Sequence, residues 1–132
     1  MDRLFLDANV LFSAAYSPNS GLAQFWKLDR VTLCSSRYAV EEARSNLATG
    51  PQRERLRTLS AKIELVDTLD VEDFGEVALP AKDRPILLAA IAARATHLIT
   101  GDFRHFGPYF GKSVRGILIV PPADYLKSAA AR

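Results

Sequence analysis

The chain has 132 residues, 48% hydrophobic and 24% charged, the composition of a globular domain with a core of its own and not of a disordered tail. Seventeen Lys and Arg against fifteen Asp and Glu leave a formal charge of +2, far below that of a dedicated nucleic-acid coat protein. The lone Cys34 excludes an internal disulfide and reads as a small buried hydrophobe, which suits a reducing, cytoplasmic setting.

The apolar stretch from Leu4 to Ala15 is interrupted by Asp7 and Asn9 and lacks a basic flank, so it does not read as a signal peptide. No run reaches the roughly eighteen apolar residues of a membrane helix. Arg3 to Leu6 is predicted as a strand stopped by Asp7, and Leu22 to Leu28 as a helix carrying Phe25 and Trp26. Val31 to Cys34 suggests a second strand and Ser36 to Leu47 a helix with a Ser cap. The pair Gly50-Pro51 breaks that helix ahead of a further helical stretch through Ala61, and Ile63 to Val66 reads as a third strand.

Beyond an acidic stretch from Glu64 to Glu76, Pro85 to Arg94 is apolar almost all round, as in a buried helix, with Pro85 in its first turn. His97 to Thr100 is predicted as a strand running into Gly101-Asp102, followed by a loop rich in Gly and aromatics. A strand at Gly116 to Val120 and a helix after Pro121-Pro122 complete the chain, which shows no repeat or linker and reads as one domain over residues 1–132. Basic residues gather at Arg44, Arg53, Arg55, Arg57 and Lys62 and again at Arg104, His105, Lys112 and Arg115, a pattern as natural for solvated helix faces as for phosphate contacts.

Short apolar strands alternating with helices point to an α/β fold, a three-layer α/β/α arrangement around a mostly parallel central sheet. Ligands in such folds sit beyond the carboxyl ends of the strands. Asp7 and Asp102 each follow a predicted strand directly, which puts both on that edge. On the helix from Ser36, Glu42 borders the face made by Ala39, Val40, Ala43 and Leu47, whereas Glu41 points further toward solvent. Asp83 stands just ahead of Pro85, at the start of the buried helix. Singly, each acid is explained as well by a helix cap, a Gly-Asp turn or a solvated surface.

Together they suggest more. Clustered carboxylates repel one another and resist desolvation, so such a group calls for a neutralising cation. Hard oxygen ligands select Mg²⁺ or Mn²⁺, one ion or two. An ion of that kind can lower the pKa of a bound water and offset charge on a departing oxygen, which is phosphodiester hydrolysis without a protein nucleophile.

Four blocks then carry a family resemblance: L-D-A-N-V-L at Leu6 to Leu11, V-E-E-A-R-S-N-L at Val40 to Leu47, K-D-R-P-I-L-L-A-A-I from Lys82, and H-L-I-T-G-D ending at Asp102. In order and spacing they resemble the signature blocks of PIN domains, and the tail G-I-L-I-V-P-P-A-D-Y-L is similar to the closing strand and helix of bacterial members. The resemblance implies a Mg²⁺- or Mn²⁺-dependent ribonuclease, commonly the toxin of a toxin–antitoxin pair, with RNA as substrate, an antitoxin protein as partner and frequent homodimerisation. It assigns Asp7, Glu42, Asp83 and Asp102 to the metal-binding acids and Asn9 to orienting the first of them. Thr100 matches a polar residue near the metal and Ser13 a weaker one, while Arg104 is added as a supporting cation beside the last acid.

Two rivals fail on the first turn. A haloacid-dehalogenase-type phosphotransferase needs a second Asp where Asn9 stands, and a dinucleotide-binding domain needs a Gly-rich turn that Asp7 to Phe12 lacks. A PIN-like module that binds RNA or protein without cutting remains open to the same residues.

Overall fold

Leu4, Phe5 and Leu6 are each 0% exposed. Successive strand side chains point to opposite faces, so their uniform burial means that helices cover both sides of the strand. That strand is β1 (Asp2–Leu6), the centre of the fold. A computed structural model of the chain describes residues 1–67 and 84–131. Six strands form one sheet in the order β3-β2-β1-β4-β6-β5, with β2 at Val31–Ser36, β3 at Glu64–Val66, β4 at His97–Ile99, β5 at Ser113–Val114 and β6 at Ile117–Val120. Every pairing is parallel except β5 with β6. The expected α/β architecture with a mostly parallel sheet is the observed one.

The helices are α1 (Ala8–Tyr16), α2 (Arg37–Asn46), α3 (Gly50–Ser60), α4 (Arg84–Ala92), α5 (Phe103–Phe106) and α6 (Pro122–Ala130). The Ser36 hydroxyl accepts from the Ala39 amide, which is the cap predicted for α2. Helix α2 ends where Leu47 turns extended, Gly50-Pro51 is the first turn of α3, and Thr49 starts it with a reciprocal capping box between its side chain and that of Gln52. Helix α4 buries Ile86, Leu87, Ala89 and Ala90 but leaves Ile91 exposed, so it is covered on most sides and not all round as its sequence suggested.

Three local readings are corrected. The first helix is α1, beginning immediately after Asp7, within the apolar stretch for which no helix was expected; the Asp7 carboxylate accepts from the Ala8 amide and turns strand into helix within one residue. The segment Gly21–Lys27 is a 3-10 helix instead of an α-helix. Gly116 belongs to a turn, not to the last strand: Val114 pairs with Ile117, and Arg115 (φ 54) and Gly116 (φ 82) take the positive φ that a two-residue hairpin loop demands. The aromatic loop after Asp102 is partly ordered as α5, pinned by the buried Phe106. Cys34 is buried with its thiol pushed up to about 11 by burial, the small hydrophobe expected. Among the described residues no helix is long and apolar enough to cross a membrane.

The topology fixes where function belongs. From β1 the chain steps outward to β2 and β3, then returns to place β4 on the other flank of β1. The carboxyl ends of β1 and β4 therefore mark the point where strand order reverses, the favoured ligand crevice of open parallel sheets. Asp7 ends the first of these strands, and Thr100, Gly101 and Asp102 end the second.

Candidate functional site

Asp7 is the anchor of this crevice. Its amide donates to the Ile99 carbonyl at 3.0 Å, which stitches the two strand ends together. Its carboxylate, on a residue only 5% exposed, has both oxygens engaged. Oδ1 accepts from the Ala8 amide at 2.7 Å, and Oδ2 accepts from the Thr100 hydroxyl at 2.8 Å and the Asn9 amide nitrogen at 3.2 Å. Burial is the main cause that pushes its pKa from 3.8 up to about 6; the bonds from Thr100 and Ala8 pull it back, and the charges of Glu42 and Asp102 raise it further. Helix cap and strained acid are thus one side chain.

Asn9 and Thr100 hold that carboxylate from two sides. Asn9 Oδ1 accepts from the Gly101 amide at 2.8 Å, so its nitrogen is the atom turned toward Asp7. The Thr100 hydroxyl donates to Asp7 and accepts from the Asp102 amide at 3.1 Å, joining the two acids through one oxygen. Replacing this hydroxyl is expected to push the Asp7 pKa above about 6. Thr100→Val should cost about 1–3 kcal/mol near pH 8, where Asp7 is ionised, and less near pH 5, where it carries a proton. Urea unfolding at the two pH values checks this; equal losses would show that the hydroxyl does not serve the charged form.

Asp7, Asn9, Glu42 and Asp102 line one cleft of about 510 Å³. Glu42 reaches it from α2, while Glu41 is turned away and pairs with Arg44 at 2.5 Å. Asp102 caps α5 through Oδ1, which accepts from the His105 amide at 3.1 Å, and its Oδ2 lies 2.9 Å from His105 Nδ1. A bound carboxylate oxygen still has a second lone pair, so these caps leave room for a cation. Asp83 lies outside the described residues.

The donor set is all oxygen, the chemistry of a hard divalent ion. Among the described residues, however, no three His, Cys, Asp or Glu side chains are arranged to hold a metal ion. Ser13 does not line the cleft; its carbonyl accepts from the Ser20 hydroxyl. Arg104 is exposed on α5 and does not line it either.

Two lining residues went unread in the sequence, Phe12 and Asn46. Their signal was helical spacing: Phe12 follows Ala8 by four positions and Asn46 follows Glu42 by four, so each shares a face with a residue of the site.

Fold and cleft together define an α/β domain with an acidic crevice where its strand order reverses. The chain belongs to the PIN domain family, whose model matches residues 3–104, from β1 through Asp102 to the start of α5. Among solved structures it is similar to a chain of VapBC2 from Rickettsia felis, determined bound to a DNA fragment from their promoter. The TM-score is 0.63 at 15% identity, covering 90% of this chain and 98% of that one, so the likeness is one of fold. No curated protein matches the sequence.

Proposed function

We propose that this protein is a divalent-metal-dependent endoribonuclease whose cleft acids hydrolyse RNA phosphodiesters. The observation that carries the reading is the buried Asp7 carboxylate, its proton affinity raised by burial and by Glu42 and Asp102 beside it. Burial beside two other acids makes its ionised form costly, and a bound cation would offset that cost. Asp7, Glu42 and Asp102, with Asp83 as the fourth acid, are the proposed ligands of one or two Mg²⁺ or Mn²⁺ ions. When bound, such an ion supplies a water of lowered pKa and neutralises charge on the departing oxygen. Asn9 and Thr100 lock the Asp7 carboxylate in place, so that its orientation is set before substrate arrives. Ser13 and Arg104 do not line the cleft.

The likeness to VapBC2 supports extending the proposal to a toxin with an antitoxin partner; the family resemblance supports a homodimer, and the lone Cys34 a reducing, cytoplasmic setting. A second reading, a PIN module that binds RNA or protein without cutting, is favoured by one observation. Among the described residues no three acids come together as an ion cage.

The test is cleavage of mixed single-stranded RNA by purified protein freed of any partner. With Mn²⁺ or Mg²⁺ the wild type should cut, and Glu42→Gln, Asp83→Asn and Asp102→Asn should each slow it by about 100-fold or more, the scale of removing one charge-stabilising group from an active site. Identical behaviour of wild type and variants across many RNAs would favour the silent module.

A further inference from the structure

The cleft wall holds two side chains that the metal chemistry does not use. Phe12, on α1, is half-buried and lines the cleft; its ring lies 5.5 Å from that of Tyr16 at a tilt of 46°. Asn46, on α2, is exposed to the same space one turn beyond Glu42. Its amide nitrogen donates to the Glu42 carbonyl at 3.0 Å, and because a carbonyl only accepts, the identity of that nitrogen is fixed. The Asn46 Oδ1 and the second N–H then remain to pair with a ligand, a donor and an acceptor in one plane. An aromatic face and a planar amide lining one cleft are the chemistry that receives a nucleobase, by stacking and by edge hydrogen bonds. A cleft of about 510 Å³ lies within the roughly 300–1,000 Å³ of ordinary small-ligand sites.

We propose that Phe12 and Asn46 form a nucleobase subsite beside the acids, in which the base next to the scissile phosphate stacks on Phe12 and bonds through its edge to the Asn46 carboxamide. This inference rests on the RNA reading of the cleft. It gives the acids a division of labour with their neighbours: carboxylates cannot grip a polyanion, whereas a ring and an amide bind the base and leave the phosphate to the ion. It also makes cleavage sensitive to the base at one flanking position.

The probe is a short single-stranded RNA carrying 2-aminopurine at one position at a time, whose fluorescence falls when the base stacks. Ca²⁺ in place of Mn²⁺ holds the RNA without cutting during the binding measurement. Wild type and Phe12→Tyr should quench at one position. Phe12→Leu keeps the apolar bulk but lacks the ring, and should abolish that quench and raise the Kd by about 5- to 100-fold. With Mn²⁺, an abasic nucleotide at that position should slow the wild type by a similar factor and slow Phe12→Leu by less, since only the Asn46 contact is left to lose there. Asn46→Ala should alter which base is preferred there while the quench persists. Circular dichroism melting of each variant separates lost stacking from lost folding.

Equal quenching by wild type and a folded Phe12→Leu overturns the subsite, as does RNA binding with no position that quenches. Quenching that depends on Phe12 without any cleavage keeps the subsite and removes the nuclease. Cleavage indifferent to abasic substitution at every position does the reverse, and failure to bind RNA at all removes both.

Discussion

Asp7→Asn is expected to abolish RNA cleavage and yet to make the metal-free protein more stable near pH 7, by about 2 kcal/mol. The physical reason is the proton. In the folded chain Asp7 keeps its proton up to about pH 6, whereas its ordinary value is 3.8. Between those two values the folded state binds more protons than the unfolded one, so stability falls as pH rises, and the loss is complete above about pH 6. At about 1.4 kcal/mol per pH unit the gap amounts to about 3 kcal/mol. An asparagine side chain carries no charge and escapes this cost. It turns an NH₂ toward donors that now meet a carboxylate oxygen, which takes back about 1 kcal/mol. The gain should therefore shrink as pH falls and reverse below about pH 4, where the wild-type acid is protonated in both states. Urea unfolding of both proteins in EDTA across this range measures it. A variant that is less stable by the same amount at every pH would show that Asp7 is not strained in the fold.

The second large effect belongs to the ion. Mn²⁺ at about a hundred times its Kd should stabilise the wild type by about 2.7 kcal/mol, since only the folded chain gathers the acids. Because the ion must displace the Asp7 proton, its stabilisation should weaken as pH falls through about 6. It should also be largely missing from Asp7→Asn, even though that variant starts more stable in EDTA. Calorimetric melting with and without Mn²⁺ at several pH values gives both numbers. A wild-type melting temperature unmoved by saturating Mn²⁺ at every pH would mean that the cleft acids do not share an ion, and the non-cutting module would then stand.

The acids were found in the sequence by signals that are local. Asp7 and Asp102 each follow a short apolar strand, and a parallel sheet brings such strand ends to one edge whatever the order of the strands. Glu42 was separated from Glu41 by helical phase and by its distance from Leu47 in the PIN pattern, and the structure turns the two apart, Glu42 to the cleft and Glu41 to Arg44. Helix α1 was hidden because an apolar strand and an apolar helix in direct succession have no composition change between them; only the Asp7 cap divides them. Phe12 and Asn46 were passed over for a related reason, since an aromatic in an apolar helix and an Asn near a helix end are ordinary in either role.

By itself, then, the sequence determined the class of fold, the Ser36 cap of α2 and three acids of the cleft, Asp7, Glu42 and Asp102, because periodicity, capping and strand ends act over a few residues. Only the tertiary structure decided that β4 lies beside β1, and with it that the Thr100 hydroxyl, 93 positions away, bonds to Asp7. That pairing joins segments far apart in the chain and is selected by the whole core at once. The raised Asp7 pKa follows from it, because burial of a carboxylate is a property of everything packed around it and of no residue alone.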